Sequence, residues 1–175
     1  MADFASDVIN IPRERVAVLI GPKGTVKRRI EKETGVKLNI DSANGQVEIV
    51  RYFDAKDQVA ALKASDIVKA IARGFPPSKA IKLLSPDVYF ELVDLTEFAR
   101  EKSLERVRSR IIGKEGKSRS YIMKMTGTEI VIYGKTVSII GDVESIQLAK
   151  EAITKLIFGS QHSTVFRFLE KHKMM

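Results

Sequence analysis

The chain has 175 residues and a net charge of +8, and 44% of its residues are hydrophobic, enough for the cores of one medium or two small domains. It contains no cysteine and two histidines, which excludes disulfides, thiolate metal sites and a cysteine nucleophile; we expect no metal, no cofactor and no histidine-based catalysis. No apolar run reaches the roughly 20 residues that a membrane span needs, and the N-terminus lacks a signal core, so we expect a cytoplasmic protein without a membrane partner.

The first part of the chain predicts one strand and two helices joined by a glycine turn. We expect a short strand over 7–11, followed by a helix over 12–20. The turn Gly21–Gly24 interrupts this helix. Thr25 then caps a second helix, which Gly35 ends.

A hairpin and a long helix complete this first set of elements. Alternating apolar residues over 36–40, and again over 47–49, indicate two strands joined by a turn. Asp54, with Asp57 three residues later, marks the start of a long amphipathic helix, and Gly74 ends it.

Breaks at Gly74–Ser78 and at Pro86 separate this set from a second one. We therefore expect a first domain with a connecting helix over 1–85, a second domain over 86–160, and a tail or short helix over 161–175. The second domain repeats the order of elements, with a strand over 88–95, a helix from Thr96 or Arg100 to Ile112, a turn over 113–116, a helix over 117–126, strands over 128–133 and 136–140, and a helix over 142–158.

Residues around the two glycine turns match each other at a constant offset of 92 positions. The turn Gly21–Gly24 falls on Gly113–Gly116, and the pair Thr34–Gly35 falls on Thr126–Gly127. A chance pairing of glycines would not carry its flanks along, so the sequence indicates an internal duplication. The second hairpin loop is predicted to be two residues shorter than the first.

Basic residues concentrate around these two turns. Eight basic and three acidic residues lie over 13–37, and nine basic and three acidic residues lie over 100–124, so the rest of the chain is slightly negative. A positive field centred on the turns favours a polyanionic partner.

A helix, a G-x-x-G turn, a second helix and a strand resemble the KH nucleic-acid-binding module. The order β-α-α-β-β-α in each half corresponds to its eukaryotic type, which implies an α+β protein of two tandem KH domains, each with a three-stranded sheet packed on helices. Glycines let a nucleic-acid backbone approach closely, amides at the start of the next helix point at the anion, and nearby bases add charge. Such a turn holds about four nucleotides.

We expect both turns and their flanks to contact RNA. The candidate RNA-binding residues are Gly113, Lys114, Glu115, Gly116, Lys117, Ser118, Arg119, Arg110, Ile112 and Ile130 in the second half, and Gly21, Pro22, Lys23, Gly24, Lys27, Arg28, Ile20 and Leu38 in the first. The bases should lie in an apolar groove lined by Val16, Ile20, Ile30, Val36 and Leu38 in the first half and by Val107, Ile112, Ile122 and Ile130 in the second. We interpret Arg106, Arg108 and Arg110 either as a rail for flanking phosphates or as a solvated helix face.

Other interpretations of the turns have less support. Gly113–Ser118 superficially resembles a nucleotide-binding P-loop, but that motif requires a glycine where the chain has Ile111. Aromatic residues make up 7% of the chain, too few for the stacking platforms of RRM or OB folds. Each turn could also be a plain helix connector, since Pro22 removes a donor from the first turn and Glu115 adds a negative charge to the second.

Three further segments resemble one family of KH proteins. They are the linker over 70–84, the stretch over 110–118 and the closing Ile157–Ser160. Together they are similar to the two-KH pre-ribosomal RNA processing family known as partner of Nob, also called Dim, in its archaeal form, over nearly the whole chain. In eukaryotic members the first KH unit has lost its G-x-x-G turn. This chain has both turns, which leaves open whether its first unit binds RNA or a protein.

The resemblance implies a ribosome assembly factor, which we expect to be non-enzymatic and monomeric. Such a protein binds single-stranded small-subunit rRNA near its 3′ end, and its partners are a Nob-type endonuclease and a translation initiation factor subunit. Two alternatives stay open: an RNA-processing enzyme, or a non-catalytic subunit of a processing complex such as an exosome cap; and a protein-interaction scaffold. Catalysis is disfavoured because the acidic residues are scattered at predicted strand and helix ends.

Overall fold

The structure, a computed structural model, describes residues 4–175 and divides into two units. The first unit ends at Pro86 and the second begins at Asp87. In each unit the predicted order β-α-α-β-β-α is confirmed, and one further helical segment follows it. The helices of each unit pack against a three-stranded antiparallel sheet.

The bounds of the helices and strands agree with the internal duplication. The first unit contains β1 (Phe4–Asn10), α1 (Arg13–Ile20), α2 (Thr25–Thr34), β2 (Lys37–Asp41), β3 (Gln46–Tyr52), α3 (Gln58–Ala72) and α4 (Pro77–Ala80), which continues as a 3-10 turn (Ile81–Leu84). The second unit contains β4 (Tyr89–Asp94), α5 (Glu101–Ile112), α6 (Lys117–Thr126), β5 (Glu129–Tyr133), β6 (Thr136–Gly141), α7 (Val143–Ile157) and α8 (His162–Lys173). The second hairpin loop is indeed two residues shorter than the first.

In both sheets the strand that follows the glycine turn lies at an edge. The strand orders are β1-β3-β2 and β4-β6-β5, so β2 and β5 each pair on one side only. Leu38 of β2 lies opposite Ile49, and Ile130 of β5 lies opposite Ile139. All four side chains are at most 1% exposed because they belong to the hydrophobic cores. Each edge strand therefore turns its central apolar side chain inward and leaves one backbone edge unpaired by the sheet.

Several predicted ends are corrected by the structure. Gly24 is the N-cap residue of α2, and Thr25 is the first residue of that helix rather than its cap. The cap of α3 is Asp57, whose carboxylate accepts a hydrogen bond from the helix backbone, and not Asp54. Strand β1 spans Phe4–Asn10 and starts earlier than predicted.

The long helix α7 also begins with an aspartate cap. The carboxylate of Asp142 accepts hydrogen bonds from the amide and the hydroxyl of Ser145, both at 2.8 Å, and these bonds hold the pKa of Asp142 below its ordinary value. We expect Asp142→Ala to lower the free energy of unfolding of the second unit by about 1 kcal/mol, the usual cost of losing an N-cap.

This cost should depend on pH. A carboxyl whose pKa is lowered by folding stabilises the protein above its unfolded pKa of about 3.9, and the contribution is lost as the pH falls through the lowered folded value. Denaturant unfolding of the wild type and Asp142→Ala should therefore differ at neutral pH and converge in acid. Asp142→Asn keeps an oxygen for capping and should stay close to the wild type at neutral pH. An alanine variant whose deficit is the same in acid would contradict this account.

A fourth helical segment completes each unit. The two segments do not align when the halves of the sequence are compared at the offset of 92. The helices α3 and α7 match at an offset of 85, and at this offset the segment Pro77–Leu84 matches the first part of α8. Both segments pack on the helices before them, and the matched residues Ala80 and Val165 are fully buried. The residues predicted as a tail or short helix thus form α8, a docked part of the second unit.

Candidate nucleic-acid interface

The two glycine turns have the same backbone geometry. In Gly21–Gly24 and in Gly113–Gly116, both glycines have φ between 74° and 75°. The residue before the second glycine is also left-handed, with φ of 53° at Lys23 and 56° at Glu115, and no other non-glycine residue within 4–175 has positive φ. Such a conformation costs about 1–2 kcal/mol per residue. Backbone strain of this kind concentrates at functional sites, so the matched geometry marks both turns as candidate sites.

The first glycine of each turn lets two helices meet at close range. A Cβ at Gly113 would lie 2.6 Å from the Cβ of Ser118, and one at Gly21 would lie 2.8 Å from the Cβ of Val26. Ser118 is consequently only 2% exposed. Its side chain is not available to an RNA, which corrects the prediction of a contact there.

Positive charge surrounds the second turn. Lys114, Glu115 and Lys117 are exposed, and α6 begins at Lys117, so the positive end of its dipole faces the turn. Arg119, in the first turn of this helix, donates a hydrogen bond from Nη1 to the carbonyl of Ile130 at 2.5 Å. Three positive side chains, two exposed lysines and a fixed arginine, thus outnumber the single glutamate at this turn, and the net positive charge suits the binding of an anion.

The first turn has a more mixed electrostatic environment. The guanidinium of Arg28 lies over Gly24, with Nη1 2.9 Å from where a Cβ would stand. Lys27, however, forms an ion pair with Glu31 at 3.8 Å. Pro22 supplies no backbone amide hydrogen, whereas the matching Lys114 does. The first turn therefore offers an anion one backbone donor fewer than the second, and its Lys27 is already paired with a carboxylate.

An open cleft of about 290 Å³ lies beside the second turn, lined by Ile112, Arg119, Val131 and Ile132. Ile112 and Arg119 belong to the predicted site, whereas the sequence analysis does not single out Val131 or Ile132. The two are half-buried on β5, at the edge of the sheet. The pair Thr126-Gly127 before β5 was a sequence signal for the start of this strand. The position of the strand at the edge of the sheet is visible only from the strand order.

Most residues predicted to line the apolar grooves lie in the cores instead. Seven are at most 5% exposed, namely Val16, Ile30, Val36, Leu38, Val107, Ile122 and Ile130. The groove prediction is therefore wrong for the side chains of Leu38 and Ile130, while Ile20 and Ile112, the last residues of α1 and α5, are half-buried. The reason is that helical and strand periodicity marks the face turned toward the core.

The predicted arginine rail does not form. Residues two positions apart on a helix do not share a face, so Arg108 points away from Arg106 and Arg110. Arg110 donates from Nε to the carbonyl of Leu156 at 3.2 Å and from Nη2 to that of Ser160 at 2.5 Å. It closes the C-terminal end of α7, and the predicted phosphate contact of Arg110 stays a prediction.

Helix α8 adds an aromatic surface beside the second turn, which the sequence analysis also misses. The rings of Tyr121 and Phe166 lie 4.2 Å apart. They border an open depression together with Glu115 of the turn and with Lys117 and other residues of α6. The hydroxyl of Tyr121 donates to Glu170 at 2.7 Å, which raises the pKa of Tyr121.

Within residues 4–175 the acidic side chains are not gathered into a metal-binding group. In the part of the chain that the structure describes, no group of three or more His, Cys, Asp and Glu side chains could hold a metal ion. The carboxylate of Asp41 is engaged in a hairpin turn, where hydrogen bonds from the side chain and backbone of Asn44 lower its pKa. Among residues 4–175 there is also no helix with the length and apolar character needed to cross a membrane.

Two family models match the chain. Residues 89–174 match a model described as a eukaryotic type KH-domain (KH-domain type I), whose name assigns it to the second KH domain of PNO1, and residues 6–64 match a KH domain model. The first match includes α8, which agrees with its place in the second unit.

Similar proteins and structures come from archaea and eukaryotes. A KH domain-containing protein of Methanocaldococcus jannaschii is 47% identical over 98% of this chain and 75% of its own length. The RNA-binding protein pno-1 of Caenorhabditis elegans is 30% identical over 92% of this chain, which spans only 60% of that relative. The crystal structure of an a/eIF2alpha–aDim2p–rRNA complex from Pyrococcus horikoshii OT3 contains a chain that is 46% identical, with a TM-score of 0.92 over 98% of this chain and 95% of that one.

Proposed function

The chain belongs to the PNO1/Dim2 family of proteins with two KH domains, and from this we propose that it is a non-enzymatic RNA-binding factor of small-subunit ribosome assembly. In this proposal it holds single-stranded rRNA near the 3′ end of the small-subunit rRNA and assists maturation of that end. The names of the relatives support an RNA-related role, since they describe RNA-binding and pre-rRNA-processing proteins.

The second glycine turn carries the proposal. It is exposed, it lies at the N-terminus of a ten-residue helix, and Lys114 and Lys117 flank it. Helix N-termini with glycine-rich entry loops bind phosphates because the amides and the helix dipole both point at the anion. A sugar–phosphate backbone can therefore lie across Gly113–Gly116.

The cleft beside this turn provides a place for bases. Its half-buried apolar residues Ile112, Val131 and Ile132 offer a surface for unstacked bases, and the guanidinium of Arg119 is fixed at its edge. Unstacked bases of single strands bind apolar and guanidinium surfaces in this way. The first turn, with Lys27 and Arg28, serves as an auxiliary contact to the phosphate backbone.

Two protein partners complete the proposal. The first is a Nob-type endonuclease that cuts the rRNA 3′ end. The second is the α subunit of a translation initiation factor, which the complex from Pyrococcus horikoshii supports for a similar protein. Co-purification of each recombinant candidate with this chain, with and without nuclease treatment, separates direct protein contacts from bridging by RNA.

The double substitution Lys114→Asp with Glu115→Asp tests the RNA contact. We expect it to weaken binding of a short single-stranded oligonucleotide of the small-subunit rRNA 3′ end about tenfold or more, because it replaces the lysine at the turn with a second carboxylate. The salt dependence of binding should also become shallower. Aspartate tolerates the left-handed conformation of residue 115, so thermal unfolding should be nearly unchanged. Fluorescence anisotropy over a salt series measures both quantities.

Lys23→Asp is the matched control, since it changes the net charge by the same amount at the apex of the first turn. Its effect on affinity should be clearly smaller. Equal losses for the two variants would show a general charge effect, and an unchanged affinity of the double variant would contradict the proposed seat.

A further inference from the structure

The two units differ in charge at one helix position beside the edge strands β2 and β5, where the first unit has Glu31 and the second has Met123. At the offset of 92, Lys27 matches Arg119, Glu31 matches Met123, and Leu38 matches Ile130. Lys27 and Arg119 lie on the helix that follows the glycine turn of their unit. Glu31 and Met123 lie one helical turn further along the same helices. The third pair lies on the edge strands β2 and β5.

In the second unit the uncharged Met123 lies beside Arg119, so the residues next to the cleft carry only positive charge. Arg119 donates to the carbonyl of Ile130 at 2.5 Å, and its Nη1 lies 3.5 Å from the sulfur of Met123. The thioether carries no charge, so nothing in this trio repels a phosphate.

In the first unit a carboxylate occupies the same place. Oε2 of Glu31 accepts a hydrogen bond from the backbone amide of Leu38 at 3.0 Å, and Oε1 lies 3.8 Å from Nζ of Lys27. The Glu31 side chain is 23% exposed, so its charge is partly accessible to solvent beside the edge of β2. The outward amide of the edge strand, which a bound base would otherwise meet, is thus already satisfied within the protein.

We propose that Glu31 is a specificity-determining residue that excludes RNA bases from the edge of β2, the part of the first unit that matches the cleft of the second. It acts in two ways, by filling the hydrogen-bonding edge at Leu38 and by placing a negative charge beside the path of the phosphates. Single-stranded RNA then places its bases in the cleft of the second unit, and the first turn contributes at most a contact to the RNA backbone. The inference rests on the proposed function, because it assigns unequal roles to two units of an RNA-binding protein.

The test introduces the residue of the second unit into the first. In the full-length chain carrying Lys114→Asp and Glu115→Asp, we add Glu31→Met and measure binding of a fluorescein-labelled single-stranded oligonucleotide of the small-subunit rRNA 3′ end. Affinity should rise about fivefold or more, as expected when one unit charge is removed beside a phosphate in a partly screened setting. Glu31→Gln, which removes the charge but keeps an oxygen at the edge, should give a smaller rise.

Glu33→Met is the matched control. Glu33 is exposed on the same helix two positions away, and the second unit also has a methionine there, Met125. This control makes the same change of charge and residue type, so a rise equal to that of Glu31→Met would overturn the inference. An absence of any rise in a Glu31→Met protein with unchanged thermal unfolding would overturn it too.

The proposed function can fail separately. If Lys114→Asp with Glu115→Asp does not weaken RNA binding in the otherwise wild-type chain, the second turn is not the phosphate-binding site. This conclusion would hold regardless of the effect of Glu31→Met. If that double variant weakens binding and Glu31→Met then restores none of it, the proposed function stands and the role of Glu31 is refuted.

Discussion

Gly113→Ala should lower the free energy of unfolding of the second unit by about 3 kcal/mol, because backbone strain and a steric clash add at this position. With φ of 75° and ψ of 173°, the backbone of Gly113 occupies a region that is essentially restricted to glycine. The added Cβ would lie 2.6 Å from the Cβ and 2.8 Å from the backbone nitrogen of Ser118. The nitrogen belongs to the first turn of α6 and cannot move away without shifting that helix.

Gly116→Ala is the control for this prediction. Gly116 has the same φ, but its ψ of 11° is left-handed helical, and a Cβ there meets no atom within 4 Å. Only the conformational cost of about 1–2 kcal/mol should remain. Denaturant unfolding followed by circular dichroism gives both values. Equal losses for the two alanine variants would show that the contact with Ser118 does not decide the role of the first glycine.

Arg110→Ala should be the second large effect, with a loss of about 2 kcal/mol in the free energy of unfolding of the second unit, since it removes two charge-assisted hydrogen bonds. The carbonyls of Leu156 and Ser160 would lose the guanidinium that now binds them at the end of α7. Lysine cannot reproduce this two-pronged contact, so Arg110→Lys should recover only part of the loss.

Arg106→Ala separates this structural role from a phosphate contact. Arg106 is exposed on α5, one helical turn before Arg110, and its removal should change stability by less than about 0.5 kcal/mol. RNA affinity of the folded Arg110→Ala protein, measured well below its unfolding temperature, should stay within about twofold of the wild type. A large loss of affinity with intact stability would restore the phosphate rail that the sequence suggested.

The first unit holds the end of its long helix with an arginine from a different position. Arg15 donates to the carbonyls of Ile71 and Phe75 at 2.8 and 2.9 Å. At the offset of 92, Arg15 matches Val107, whereas Arg110 lies one helical turn later. The two carbonyls match Leu156 and Ser160 at the offset of 85 that relates α3 to α7. The interaction is thus shared by the two units although the residues that make it do not align.

Local chemistry explains why so much of the fold was predictable. The glycine turns, the hairpins and the helix ends depend on residues a few positions apart, and glycine, proline and aspartate act there through their own backbone preferences. Two copies of the same pattern reinforced each other, and the family resemblance agreed with both. The element order, the shorter second hairpin loop and the position of both turns follow from these features alone.

The site was less predictable because a contact between distant segments leaves no periodic signal. Apolar repeats mark the core face, which is why Leu38 and Ile130 were assigned to a groove that their side chains do not reach. The edge position of β5, where Val131 and Ile132 are only half-buried, comes from the pairing order of the sheet.

The sequence by itself determined the duplication, the order of helices and strands, and the two glycine turns with their surrounding charge, because each depends on neighbouring residues or on a fixed repeat. Only the tertiary structure decided which arginine closes a helix and that Glu31 meets the outer edge of β2. These outcomes depend on which side chains the packed elements bring within hydrogen-bonding distance, and that is set by the three-dimensional packing of segments far apart in the chain.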